Sequence, residues 1–293
     1  MALQVDPLNL SVVKLTAMFD RTELGPATGF FYSAVVNNER QLFLVTNWHV
    51  VSGRNTLAPE RALLSTGALP NCLRMKLLSE FGGDGKPHPD QVFHHEKFLS
   101  LYDSNGHAVW YQHALMNEVD IAVINIGQEF DGFDVRPIDE IANFWDMAIS
   151  IGDDVLVLGY PLGFSHQLEM PTWKKGCIAS EPHVEVVGAN GRIVIDATTR
   201  SGMSGSPVIV KAKTHYLTEG GTVVMRPNAS RLLGVYSSRP VLAAPANSMD
   251  ESDRRAEVGY VYKSGLVEQI IRNGVRGHNF GDFPSPSSML PSS

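Results

Sequence analysis

Residues 28–49 read TGFFYSAVVNNERQLFLVTNWH. Residues 29–36 and 41–46 are short apolar runs rich in Val, Phe, Tyr and Leu, and Asn37-Asn38 lies between them where a tight turn must join two antiparallel strands. The same spacing recurs along the chain, at residues 11–19, 72–78, 121–126, 155–159, 183–187, 193–197, 207–210, 231–236 and 258–262. Asn105-Gly106 separates residues 98–102 from 108–111, and Asn190-Gly191 precedes Ile193; Asn-Gly readily supplies the positive φ of a hairpin turn. These runs, mostly of four to eight residues and broken by Gly, Asn and Asp, define an all-β protein. The period changes only near the C-terminus, where Leu266, Val267, Ile270 and Ile271 follow Ser264 and precede Gly274, the pattern of one capped helix.

A chain of 293 residues, 43% hydrophobic, has enough apolar material for a sizeable core and a length suited to about two domains. The formal net charge of −7 comes without a long basic run, which excludes nucleic acid as an expected partner. Asp6, Asn9 and Lys14 interrupt the first 19 residues, so no signal peptide is readable, and no run of about 18 apolar residues exists to span a membrane. Cys72 and Cys177 are far apart in a chain too large to depend on disulfides; they read as free buried thiols in a reducing, cytoplasmic setting. The Pro/Ser-rich segment beyond Gly277 reads as a disordered tail, and residues 240–256 as a second mobile stretch.

Three segments carry chemistry. Thr46-Asn47-Trp48-His49-Val50-Val51 closes a strand, Glu118-Val119-Asp120-Ile121-Ala122-Val123 opens one, and Gly202-Met203-Ser204-Gly205-Ser206-Pro207 sets a serine between two glycines. Each alone has a plain structural reading: His49 as a satisfied polar side chain, Asp120 as a strand-start cap, residues 202–207 as a turn. Together they place His, Asp and Ser in the chain order of the chymotrypsin barrels, which differs from the orders of subtilisins and α/β-hydrolases.

At these residues the chain resembles the chymotrypsin-like (trypsin-like) serine peptidases, and within them the bacterial branch near the high-temperature-requirement and glutamyl-endopeptidase groups. Gly159-Tyr160-Pro161-Leu162-Gly163, Leu233-Gly234-Val235-Tyr236-Ser237 and Val258-Gly259-Tyr260-Val261-Tyr262 are similar to further segments of that branch, so the resemblance covers roughly residues 25–274. It implies two packed six-stranded antiparallel β-barrels with a short C-terminal helix: residues 1–127 with an insertion at 54–117, a linker at 128–150, a second barrel and helix at 151–276, and a tail at 277–293. It also implies a serine endopeptidase acting through an acyl-enzyme. His49 would be the base, Asp120 its orienting partner and Ser204 the nucleophile, with the N–H groups of Gly202 and Ser204 as the oxyanion hole.

The pocket for the side chain before the scissile bond would be built from Thr198, Thr199, Ser237, Ser238 and Arg239. No carboxylate stands at Thr198, the pocket base, so Lys or Arg there is disfavoured, and small, polar or acidic residues are expected. Met203 stands where secreted members place an Asp that pairs with a newly cut N-terminus, so activation by that ion pair is not expected. His88, His94, His95, His107 and His113 lack a completing ligand motif, and neither a metal nor another cofactor is expected. Trp48 reads as a packing aromatic. The partners implied are protein or peptide substrates; an activating or inhibiting protein is left open. A catalytically silent binding or scaffold protein of the same fold and an esterase using the same serine remain the alternative readings.

Overall fold

The computed structural model describes residues 5–56, 58–79, 93–115, 118–127, 130, 133–184, 191–237 and 258–279. After a 3-10 turn at Pro7–Ser11, whose Leu8 N–H donates to the Asp6 side chain, come β1 (Val12–Phe19), β2 (Thr22–Val36) and β3 (Glu39–Thr46). Asn37 and Asn38 take φ of 53° and 65°, the left-handed values a tight turn of two asparagines supplies. A one-turn helix, α1 (Trp48–Ser52), follows, then β4 (Arg54–Asn55), β5 (Ala58–Ala62), β6 (Cys72–Ser79), β7 (Phe93–Ser100), β8 (Trp110–Gln112) and β9 (Ala122–Asn125). After α2 (Ile138–Ile141) the second half runs β10 (Asp154–Gly159), β11 (Thr172–Ile178), β12 (Arg192–Asp196), β13 (Pro207–Lys211), β14 (Tyr216–Leu217), β15 (Val223–Val224), β16 (Ser230–Tyr236) and β17 (Val258–Lys263). The chain then forms α3 (Gly265–Asn273) and β18 (Val275–Arg276).

The all-β architecture is as expected, a six-stranded closed barrel packed with a large antiparallel sheet. The second half closes as a six-stranded barrel, β10-β11-β12-β17-β16-β13, whereas the first half is an eight-stranded sheet in the order β18-β8-β9-β3-β2-β1-β6-β7. The long β6–β7 ladder extends one edge, and β18 returns from the C-terminus to pair Val275 with Gln112 at the other. Gly277 N–H also donates to the Trp110 carbonyl at 2.9 Å, so order continues past the expected start of the tail; residues 280–293 lie outside the described residues.

Other departures are local. Residues 183–184 form no strand, and 185–187 lie outside the described residues, as does the stretch 240–256. β11 was hidden because Lys174 and Lys175 interrupt its apolar pattern. α3 occupies its expected place, but Ser264 makes no side-chain cap and Gly274 has φ −66° rather than a left-handed value. Glycine is needed at 274 for a close approach instead, since a Cβ there would lie 2.4 Å from the Ile270 carbonyl oxygen.

Each half has its own apolar centre, around Leu15, Phe31, Leu73 and Trp110 in the sheet and around Val155, Ile195, Met203 and Val208 in the barrel. A third cluster fills the seam between them, where Phe30, Val45 and Ile121 meet Leu158, Tyr160, Leu232 and Tyr262. Residues of the expected linker are anchored to the sheet: Asp139 accepts hydrogen bonds from Ser33 N–H and Oγ, both at 2.7 Å. Burial of this apolar seam fixes the two halves against each other and so fixes the cleft along its edge.

Candidate active site

His49 and Asp120 meet because their strands are neighbours. β3 pairs antiparallel with β9, Thr46 opposite Ala122, so the residues just past the end of β3 lie beside those just before β9. α1 then turns His49 back over Asp120, while the buried Trp48 packs inside and donates its indole N–H to Gln112 at 2.8 Å. Asn47 Nδ2 donates to the Asp120 carbonyl at 2.7 Å, locking the two segments together.

Asp120 is 1% exposed, and its oxygens face donors on every side. Oδ1 accepts from the His49 backbone N–H at 2.9 Å; Oδ2 accepts from His49 Nδ1 at 2.6 Å and from Ser237 Oγ at 2.5 Å. Burial raises its pKa, but the His49 charge and ring hydrogen bond, with the Ser237 hydroxyl and His49 N–H, outweigh burial and hold it below the ordinary carboxylate value. Burial likewise lowers His49, and the charge and hydrogen bond of Asp120 reverse this, leaving the imidazole above its ordinary value. With Nδ1–H held by Asp120, Nε2 is the ring nitrogen left to accept a proton.

The loop that carries Ser204 is built around two glycines that no other residue replaces. Gly202 has φ 91°, and a Cβ there would lie 2.3 Å from the Tyr160 carbonyl oxygen; Gly205 has φ 85°, and a Cβ there would lie 2.1 Å from the Thr28 carbonyl oxygen. Thr28 of β2 stitches the loop to the first half, its N–H donating to the Ser204 carbonyl at 2.9 Å and its Oγ1 to the Gly202 carbonyl at 2.7 Å. Met203 is fully buried in the barrel core, in keeping with an apolar packing role at that position.

Ser204 and His49 face one cavity. The Ser204 hydroxyl donates to the Ser237 carbonyl at 3.3 Å and makes no hydrogen bond to His49 in this conformation. The Ser201 carbonyl is drawn away from the loop by the Leu162 N–H at 2.6 Å, and among the described residues no protein acceptor takes the N–H of Gly202 or of Ser204. Two backbone donors are therefore left for an incoming oxygen. Leu162 holds its position at φ 56°, an uncommon conformation for a γ-branched residue.

Of the five residues expected around the substrate pocket, Thr198, Thr199 and Ser237 are described. Ser237 turns its hydroxyl to Asp120, and Thr199 is fully buried with its Oγ1 2.5 Å from the Tyr236 hydroxyl, so neither presents its hydroxyl to an open pocket. The Tyr236 ring lies against Gly259, where a Cβ would come within 2.5 Å of it. Thr198 is exposed; Ser238 and Arg239 lie outside the described residues. Ser237 as a third donor to Asp120, Thr28 as the stitch and Leu162 as the holder of Ser201 were not legible in sequence, because a Ser or Thr beside a strand and a Leu in a turn have no distinguishing pattern. Cys72 and Cys177 are free, and both are half-buried rather than fully buried. Among the described residues, no group of three or more His, Cys, Asp or Glu is placed to hold a metal ion; His88 lies outside them, and His95 packs edge-on against Phe133.

A family model, the trypsin-like peptidase domain, matches residues 27–214. Among solved structures, an inactive form of Rv3671c from M. tuberculosis H37Rv is 18% identical, with 100% of this chain and 99% of that chain covered at a TM-score of 0.44. The HtrA-type protease AlgW with a tripeptide is 15% identical over 92% of this chain and 63% of that one, at a TM-score of 0.46. The serine endoprotease from Yersinia pestis is 15% identical over 92% and 68%, at 0.42. No curated protein matches the chain.

Proposed function

Because the chain belongs to the trypsin-like peptidase family, we propose that it is an active serine endopeptidase working through His49, Asp120 and Ser204. The observation that carries this reading is the convergence on one cleft of a buried, triply hydrogen-bonded Asp120, an imidazole held through Nδ1, a serine hydroxyl and two unpaired backbone N–H groups. Ser204 Oγ attacks the scissile carbonyl as His49 Nε2 takes its proton. The oxyanion accepts from Gly202 N–H and Ser204 N–H, and each such donor is worth about 3 to 4 kcal/mol in the transition state. His49 then passes the proton to the leaving nitrogen, and a water activated by the same ring hydrolyses the acyl-enzyme.

One observation favours a second reading, a silent scaffold: the Ser204 hydroxyl rests on the Ser237 carbonyl rather than on His49. A rotation about the Ser204 Cα–Cβ bond reorients that hydroxyl, and such bonds often tighten only when substrate binds. A fluorophosphonate probe separates the readings. Labelling that is lost in Ser204→Ala and in His49→Ala supports the peptidase; a folded wild-type protein that resists the probe supports the scaffold. Before the scissile bond, the uncharged Thr198 and the buried Thr199–Tyr236 hydroxyl pair support small or polar side chains over Lys and Arg.

A further inference from the structure

The cavity beside His49 and Ser204 measures about 190 Å³, and most of it is not catalytic machinery. Away from the rim of His49, Ser201, Gly202 and Ser204, its wall is apolar: Ala17, Leu24 and Pro26 from β1 and β2, Val50 from α1, and Leu64 and Ala68 from the segment after β5. No charged side chain lines it among the described residues, His49 aside. Neither Thr198, Thr199 nor Ser237, the elements expected around the acyl side of the substrate, belongs to this wall. The hollow lies on the His49 side of Ser204, under α1 and the segment that follows it. That side is the one past which the leaving group departs, since the imidazole that took the Ser204 proton must hand it to the leaving nitrogen.

The wall is built together with the base. Gly53, at φ 67°, ends α1 and donates its N–H to the His49 carbonyl at 3.0 Å; its own carbonyl accepts from Leu63 N–H at 2.8 Å. The β4–β5 hairpin between them is strapped by Arg54, which reaches the carbonyls of Pro59 and Glu60. Pro70 closes the back, so near that a Cβ on Gly53 would lie 2.4 Å from its ring. The start of the long segment between His49 and Asp120 thus folds over the leaving side of the site.

On the peptidase reading above, we propose that this hollow is the subsite for the side chain immediately after the scissile bond and that it selects a branched aliphatic or aromatic residue. An apolar cavity of about 150 Å³ admits a benzene ring, so 190 Å³ accommodates Leu or Phe. A polar side chain would lose its water against this wall and find polar partners only at the rim of His49, Ser201 and Ser204.

Quenched peptides identical up to the scissile bond, and varied only after it, test this directly. Leu or Phe at that position is expected to exceed Asp and Gly in kcat/KM by about 10- to 100-fold. Ala68→Phe, which fills the hollow, is expected to bring the Leu-to-Gly ratio toward one. If circular dichroism shows that variant unfolded, Leu64→Ala, which only removes atoms from a half-buried side chain, is expected to lower the same ratio. A parallel binding measurement keeps the subsite separate from the chemistry: Ser204→Ala is titrated with fluorescent peptides whose free N-terminal residue is Leu or Asp, mimicking the leaving product. Stronger binding of the Leu peptide with no probe labelling in the wild type would sink the peptidase reading and keep the apolar subsite. Labelling and cleavage with equal rates for Leu, Gly and Asp, and equal binding of both product peptides, would overturn the subsite and leave the peptidase standing.

Discussion

Replacing Asp120 by Asn changes one atom, and the hydrogen bonds around it dictate the consequence. Oδ1 faces the His49 backbone N–H, a donor that cannot reverse, so the amide NH₂ cannot occupy that site without setting two buried donors against each other. The NH₂ group must stand at the Oδ2 site, against His49 Nδ1 and the Ser237 hydroxyl. The hydroxyl can rotate to accept. The imidazole can adapt only by moving its proton to Nε2, the atom that must be free to take the Ser204 proton. The same exchange of tautomer in trypsin costs about 10⁴ in kcat, or roughly 5.4 kcal/mol of transition-state stabilisation. A second readout comes from pH. Activity requires neutral His49, so the acid limb of kcat/KM in the wild type follows a pKa raised above 6.5 by Asp120. The Asn variant loses the raising charge while burial still lowers the ring, and its acid limb moves to lower pH. Steady-state rates from pH 5 to 9 on a peptide substrate measure both. A loss below about 100-fold, or an acid limb that stays put or moves upward, would refute the reasoning.

Gly202→Ala forces a side chain to φ 91° and against the Tyr160 carbonyl; a loss of about 10² to 10³ in kcat and about 1 to 3 kcal/mol in denaturant stability is expected. Because Asp120 is held below its ordinary pKa of 3.8, its contribution to stability is fully present above that pH and is lost as pH falls through the depressed value; Asp120→Asn should flatten urea midpoints in that acidic window. With Cys72 and Cys177 free and Met203 buried, the full chain should react with a fluorophosphonate in dithiothreitol and without N-terminal trimming, as intact-mass spectrometry of the labelled protein would read. A peptide library should show no preference for Lys or Arg before the cut, since Thr198 provides no counter-charge; a strong one would show that the pocket base lies elsewhere.

What could be read from the sequence was what has local cause. The runs at 29–36 and 41–46 became β2 and β3 because two short apolar runs joined by a two-Asn turn leave little else to form, and the two glycines around Ser204 marked a tight loop. Pairings across long stretches of chain had no such signal. Nothing in Val275-Arg276 announces that it joins β8, and two successive lysines, half-buried Lys174 and exposed Lys175, disguised β11 by breaking the apolar alternation of a barrel strand.

The site was legible in its residue types and illegible in its supports, for a physical reason visible at the seam. Asp120 belongs to the sheet and Ser237 to the barrel, yet they share a 2.5 Å hydrogen bond; Thr28 belongs to the sheet and holds both the Gly202 and the Ser204 carbonyl from across the cleft. Ser204 itself reaches the Ser237 carbonyl within its own half. A motif records the reacting atoms, which chemistry restricts to a few side chains at fixed relations. The atoms that aim them need only be a hydroxyl or an amide in the right place, and the fold can supply those from either half. The hollow beyond His49 follows the same logic, its wall coming from small and aliphatic residues of β1, β2, α1 and the segment after β5 that have no signature singly. Their meaning arises only when Gly53 ends α1 and turns the chain back over the leaving side of Ser204, so the specificity of the site is written in the tertiary packing of apolar residues and its chemistry in the primary order of polar ones.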